Sequence, residues 1–225
     1  MSFHDEHAML EEASERPLPL PASMGERGRR TGENSLRFIE PETLLQTPRL
    51  VLEPLQIAHA LALYEPLQAA LIYDYIPETP PASVEVLATR YQRLSSRKSP
   101  DEQEAWLNWA MRERKEDRYV GLLQATVSPD ATAYLAYIVF PAFWRRGYAK
   151  EGCGRILDLL FGVYQVHTIS AEIDTRNTAS IHLIESLGFQ RVATTLNADF
   201  FKGATSHEYR YELRSPFSAV QHELR

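Results

Sequence analysis

The stretch Tyr134 to Gly154, YLAYIVFPAFWRRGYAKEGCG, constrains this chain more than any other. Leu135 to Phe140 is an apolar run, cut off by Pro141. Proline has no N–H to carry a ladder onward. Trp144, Arg145, Arg146, Gly147 and Ala149 follow, then a helical apolar pattern at Ile156, Leu157, Leu160 and Val163. The order is strand, basic turn, helix N-terminus. A helix start presents unpaired backbone N–H groups and a partial positive charge, which together attract anions. Arg145 and Arg146 add two full charges, and Gly147 lets a ligand approach the backbone. The stretch is built to hold a phosphate-bearing molecule.

Composition limits the alternatives. The net charge is -6, whereas a nucleic-acid binder needs a basic face, so nucleic acid is not expected as the main partner. Cys153 is the only cysteine, which excludes a disulfide framework and a cysteine-based zinc site. No metal is expected. The start, MSFHDEHAMLEEASERP, is acidic and lacks the apolar core of a signal peptide. No apolar run reaches membrane-spanning length, so no membrane partner is expected and the expected location is cytoplasmic.

Residues 1–40 mix clustered acids, Pro17, Pro19, Pro21 and a Gly/Arg run, and cannot bury much apolar surface. They read as a mobile extension, with the folded domain over 41–215 and a short tail over 216–225. Arg49 to Glu53 alternates as a first strand. Gln56 to Leu71 reads as a helix with Ile57, Ala60, Leu61 and Tyr64 on its apolar face, and Leu71 to Pro81 as a loop. Ser83 can cap a second helix carrying Val84, Leu87, Tyr91 and Leu94. Trp106 to Arg112 fits a strand or a helix, and the strand is preferred. Tyr119 to Val127 and Ala133 to Phe140 complete an antiparallel meander, leading into a helix over Ala149 to Val163. A strand over His167 to Asp174 and a helix over Thr178 to Leu187, ended by Gly188, come next. The last strands are expected over Gln190 to Leu196 and His207 to Leu213.

Two signatures in this order resemble a known family. Ile138-Val139-Phe140-Pro141 followed by Trp144-Arg145-Arg146-Gly147-Tyr148-Ala149 looks like the acetyl-CoA motif of the GNAT N-acetyltransferases. Asn177-Thr178-Ala179-Ser180 with Glu185-Ser186-Leu187-Gly188-Phe189 is similar to the family's second signature, N-x-x-S…E-K-x-G-F. Thr47-Pro48-Arg49-Leu50 resembles the T-x-R-L opening of the RimJ/RimL branch of ribosomal-protein N-acetyltransferases. The resemblance covers roughly Thr47 to Leu213. It implies an α/β (α+β) GNAT fold, with a central mixed, mostly antiparallel twisted sheet flanked by about four helices. It also implies acetyl transfer from acetyl-CoA to a primary amine by direct attack. On the branch it resembles most, the acceptor is a protein N-terminal α-amine. A small-molecule amine and a non-catalytic CoA sensor are the alternatives. The oligomeric state is left as monomer or homodimer.

The resemblance also assigns roles. Ile138, Val139, Trp144, Arg145, Arg146, Gly147, Tyr148, Ala149, Lys150 and Asn177 would bind the cofactor. The backbone N–H of Val139 would face the thioester oxygen and stabilise the oxyanion. The tyrosine acid of the wider family is absent, since Ile184 stands at its position, and Ser180 is the candidate acid. Asp199 falls where the branch carries its base, with Glu172 and Asp174 as rivals. Arg145 replaces a small residue, so a positive φ there would be costly. His167, His182 and His207 have no metal-ligand spacing, and Cys153 reads as a packing residue. Trp106, Trp109, Tyr73 and Tyr75 line either an acceptor cleft or the core.

Overall fold

The computed structural model describes residues 43–216. The extension expected over 1–40 lies outside the described residues, as does the tail beyond its first residue. Among the described residues, no helix is long and apolar enough to cross a membrane.

Among the described residues, eight strands and four α-helices follow one another. The strands are β1 (Leu45–Gln46), β2 (Leu50–Pro54), β3 (Ala105–Glu113), β4 (Arg118–Val127), β5 (Thr132–Val139), β6 (Thr168–Asp174), β7 (Gln190–Phe201) and β8 (Ala204–Arg214). The helices are α1 (His59–Tyr64), α2 (Val84–Leu94), α3 (Tyr148–Gly162) and α4 (Thr178–Ser186). They build one sheet in the order β1-β2-β3-β4-β5-β6-β8-β7. Every neighbouring pair is antiparallel except β5 and β6, which run parallel because α3 carries the chain back across the sheet. This is the expected fold class.

The two faces are covered by different helices. A Cβ on Gly152 of α3 would press on the side chains of Leu123, Met111 and Leu50, so α3 lies close over that face. Tyr137, in register with Leu123, reaches Ser180 O with its hydroxyl at 3.4 Å, which places α4 on the same face. The opposite face carries Glu53, bonded at 3.1 Å to His59 of α1, and α1 packs on α2. Cover on both faces explains why β3 is buried along almost its whole length and why its sequence alternates poorly. The preferred strand is therefore correct. Ser83 caps α2, its side chain accepting from Val86 N, and Leu87, Tyr91 and Leu94 are buried as expected.

Two expectations need correction. The helix over Gln56 to Leu71 is much shorter, covering His59–Tyr64, with 3-10 turns at Pro66–Gln68 and Ala70–Tyr73. Pro66 offers no N–H and clashes with the preceding turn, so the α-helix stops before it. Its buried face is Ala60, Leu63 and, beyond the helix, Leu67, while Ile57 and Leu61 are 47% and 77% exposed. The last two strands are longer than expected, and β7 runs on to Phe201. Irregularities at Arg191/Ala193 and Thr195/Asp199 let it bend while staying paired with β8. Lys202 (φ 51) and Gly203 (φ 76) form the two-residue turn between them, both left-handed as a tight hairpin requires.

Candidate active site

The parallel pair opens part-way up. β5 pairs with β4 from Ala133 to Val139, but with β6 only over Thr132–Tyr134 against Thr168–Ser170. Beyond those pairs, Leu135–Val139 and Ala171–Asp174 diverge. One side chain occupies the start of the opening. Glu172 N–H, which alternation turns toward β5, donates to the Tyr134 hydroxyl at 3.0 Å. The tyrosine thus replaces a rung of the ladder and satisfies a donor that would otherwise be stranded.

The wall of this gap is polar backbone. Phe140 N donates to Val120 O on the β4 side at 2.9 Å. Strand alternation therefore turns the N–H groups of Tyr137 and Val139 into the gap, and those of Ile138 and Ala136 toward β4. Trp144 Nε1 donates to Val139 O at 2.6 Å, which folds the basic turn against the strand end. The first-turn donors of α3 complete the arrangement. Glu151 N bonds Gly147 O, so the N–H groups of Tyr148, Ala149 and Lys150 precede the helical ladder. Gly147 sits at φ 78 and Arg145 at φ 59. The positive angle that would be costly at Arg145 is present, at a backbone cost of about 1–2 kcal/mol for a non-glycine. Arg145, Arg146 and Lys150 are exposed around the turn, whereas the Tyr148 ring is buried. Of Tyr148, only the backbone faces the turn.

A brace behind the turn was not read from the sequence. Glu151 accepts from Thr47 Oγ1 at 2.6 Å, from Arg49 N at 2.8 Å and from Arg49 Nε at 2.6 Å. Arg49 also donates to Arg146 O at 2.8 Å and stacks on the Tyr148 ring at 4.7 Å. Burial pushes the Glu151 carboxyl up, and the bonds from Thr47 and Arg49 outweigh that and hold it below its ordinary value. The T-x-R-L opening thus clamps the first turn of α3 from β2. An acid in that first turn, paired with a distant Thr and Arg, was the available signal.

The proposed acid and bases are scattered around the gap. Asn177 caps α4 by accepting from Ser180 N at 3.1 Å. The Tyr137 hydroxyl meets both the side chain of Ser180 and, at 3.4 Å, its carbonyl, which ties the start of α4 to β5. Ile184 is fully buried, so the position that carries tyrosine elsewhere is core here. Asp199 lies within β7, not after it, and β8 stands between β7 and β6. Its side chain is exposed and accepts from Phe200 N at 2.7 Å. Asp174 is committed elsewhere, accepting from Arg176 Nε at 2.9 Å, Arg176 Nη2 at 2.6 Å and Ser206 Oγ at 2.8 Å. Burial raises its pKa, but these bonds outweigh it and leave the carboxyl below its ordinary value. Glu172 differs. Burial first, then the charge of Glu208, push its carboxyl up to about 7, against a partial opposing pull from Arg210.

The remaining readings resolve simply. Cys153 is buried and burial pushes its thiol up to about 12, which fits packing and not reactivity. Trp106, Trp109 and Tyr73 are core, and only Tyr75 of that aromatic set is exposed. Arg176 lies within about 6 Å of the Tyr75 and Phe201 rings, at 6.0 and 5.9 Å. Lys202, at the β7–β8 turn, donates to the carbonyls of Tyr73 and Ile76. The hairpin tip is therefore tied to the segment around Tyr73–Ile76. Nothing in the local pattern of Lys202 announced that contact.

Residues 49–190 match the family model described as an acetyltransferase (GNAT) domain, more than half of the chain. The chain belongs to the GNAT acetyltransferase family. It is 23% identical over 150 residues to the uncharacterized N-acetyltransferase YoaA of Bacillus subtilis, covering 66% of this chain and 83% of YoaA. The spermidine N-acetyltransferase of Vibrio cholerae, solved with CoA and spermine, superposes with a TM-score of 0.65 at 20% identity, over 75% of this chain and 97% of that one. The ribosomal-protein-S5-alanine acetyltransferase of Vibrio fischeri superposes with a TM-score of 0.69 at 13% identity, over 77% and 97%. At these identities the likeness is one of fold, and it extends to a spermidine N-acetyltransferase and a ribosomal-protein-S5-alanine acetyltransferase alike. As a GNAT acetyltransferase, the chain is a CoA-dependent acyltransferase acting on an amine.

Two outcomes follow for this GNAT site. Gly147→Val should weaken CoA binding by at least about 100-fold, because a β-branched residue cannot hold φ near 78 and obstructs the turn. Calorimetric titration with CoA measures it, with circular dichroism confirming the fold. Glu172 titrates near 7 in the folded state against an ordinary 4.5, so the folded chain binds more protons between those values. Stability then falls as pH rises through that window. Glu172→Gln should be more stable than the parent at pH 8, by about 1–2 kcal/mol given the partial exposure of the group, and no different near pH 4. Urea unfolding at the two pH values checks the sign.

Proposed function

We propose that this chain transfers the acetyl group of acetyl-CoA to a primary amine in a ternary complex, and that the acceptor is a small cationic amine. The gap between β5 and β6, continuous with the donor-rich start of α3, carries the first part of this reading. The pyrophosphate sits on the N–H groups of Tyr148, Ala149 and Lys150, with Arg145 and Arg146 beside it. The pantetheine arm takes the place of the missing β-ladder along Ile138 and Val139. The gap-facing N–H of Val139, with that of Tyr137 below it, polarises the thioester carbonyl and stabilises the oxyanion. The Trp144 indole holds the Val139 carbonyl and Asn177 orders the start of α4.

The acceptor reading rests on charge. Glu172, Glu208 and Asp199 gather on the α1–α2 side, and Glu208 is pushed up by burial and then by Asp199 and Asp174. Unneutralised carboxylates of this kind favour a polycation over a peptide backbone. A protein N-terminal α-amine, the acceptor of the RimJ/RimL branch that Trp144 and Ser180 resemble, is the second reading. The Ser180 hydroxyl, which the Tyr137 phenol meets, protonates the departing thiolate. The base is a carboxylate on the α1–α2 side of the gap.

A panel of spermidine, an aminoglycoside and an alanine-initiated peptide, each with acetyl-CoA and a thiol-release readout, tests the reading. Turnover of spermidine or the aminoglycoside above the peptide is expected. Preference for the peptide would overturn the acceptor class, and acetyl-CoA binding with no turnover would overturn the enzyme reading. Ser180→Ala should lower kcat by about 100-fold at unchanged acetyl-CoA affinity. An unchanged kcat would reduce Ser180 to a helix residue.

A further inference from the structure

We propose that Glu172, and not Asp199, is the general base that takes the proton from the acceptor ammonium. The inference rests on the acetyl-transfer reading above. Its first support is position. The last β5–β6 pair is Tyr134 with Ser170, so Glu172 is two residues beyond the closed end of the gap. Its own N–H is the one held by the Tyr134 hydroxyl, which fixes this point of the backbone at the base of the opening. At a rise of about 3.3 Å per residue, Glu172 stands one residue level below Tyr137, whose N–H faces the gap. The glutamate side chain is long enough to meet an amine approaching a thioester held there. Its side chain shares a face with Tyr134, the face covered by α1 and α2 and opposite α3.

The second support is chemical availability. Glu172 Oε2 is buried with no hydrogen-bond partner among the described residues. Arg210 lies directly across from Glu172 on β8. Yet its guanidinium bridges Glu212 at 3.3 Å and reaches Ser170 Oγ at 3.5 Å. The cation that register supplies is turned away. Asp174, on the same face of β6, is saturated by Arg176 and Ser206. Asp199 is exposed, takes the next backbone N–H, and is two strands removed from β6. The charged and titratable groups facing Glu172 are thus Glu208 and Arg210 from β8 and the Tyr134 phenol from β5, with Asp199 behind Glu208. Burial first, then the charge of Glu208, hold the Glu172 proton into the neutral range, where a base both exists in its ionised form and binds a proton well.

The step balances as follows. Ionised Glu172 removes one proton from R–NH3+, giving the neutral carboxyl and R–NH2. The nitrogen lone pair attacks the thioester carbon, forming C–N while the carbonyl electrons move to oxygen. Collapse breaks C–S, and the thiolate takes the remaining extra proton of nitrogen by way of Ser180, leaving the amide and CoA thiol. Glu172 returns its proton to solvent.

The test uses the full chain, acetyl-CoA and whichever amine of the panel above it acetylates fastest. Glu172→Gln should lower kcat by about 100-fold or more, abolish the rise of kcat with pH centred near 7, and leave acetyl-CoA affinity unchanged by calorimetry. Asp199→Asn should keep the pH limb, whatever it does to the KM of the amine. Glu208→Gln should move the limb to lower pH by removing a neighbouring negative charge, a readout that does not depend on the Glu172→Gln variant folding. If Asp199→Asn loses the limb while Glu172→Gln keeps it, the assignment is overturned. A parent chain that binds acetyl-CoA and acetylates nothing overturns the enzyme reading first, and the base with it. Turnover by the parent with an equal rate in Glu172→Gln overturns the base alone.

Discussion

The hydrogen bond from Glu172 N–H to the Tyr134 hydroxyl sets the geometry on which the rest depends. A parallel strand pair normally continues until one strand ends, because each stranded N–H buried without a partner costs about 1–3 kcal/mol. Here the phenol takes over the rung where β5 and β6 begin to part. Above that point, β6 no longer pairs with the backbone of Tyr137 and Val139. On the proposed reading, these ladder groups become the recognition surface for an extended, amide-bearing arm. Burial pushes the Tyr134 phenol up, so it stays neutral and keeps its proton.

For the proposed cofactor, that opening serves only if the phosphates are held in line with it. The alignment comes from β2, at the other side of the sheet. Thr47 and Arg49 close on Glu151, and Arg49 reaches the carbonyl of Arg146. The basic turn is then fixed at both ends: by the indole of Trp144 on Val139 and by the first turn of α3 on β2. The left-handed angles at Arg145 and Gly147 are the local cost of turning the chain so sharply between strand and helix. Packing of α3 over Leu50, Met111 and Leu123 holds that conformation in place.

Local features of this site were legible in the sequence, and non-local ones were not. The strand, basic turn and helix start follow from Pro141, Gly147 and the apolar period of α3, all within one short stretch. Ser83 and Asn177 announce their caps because a cap acts within three residues. The α1 helix was misjudged because Pro66 outweighs an apolar pattern that continues past it. Asp199 was placed after a strand because the bulged continuation of β7 depends on pairing with β8 and on the Lys202-Gly203 turn. The state of Glu172 could not be read at all. It depends on Glu208 and Arg210, which β8 delivers from far along the chain, and on Arg210 choosing Glu212. In isolation, Glu172 is one more polar residue in an alternating strand.

Amide hydrogen exchange with and without acetyl-CoA tests the central claim most directly, because it reads the backbone groups of the gap themselves. The account predicts that saturating acetyl-CoA slows exchange at Tyr137 and Val139 and at Tyr148 through Lys150, while the N–H of Glu172 is already protected without ligand. Binding of acetyl-CoA with no added protection at Tyr137 and Val139 would mean that the parted strands are not where the pantetheine lies, and would contradict it.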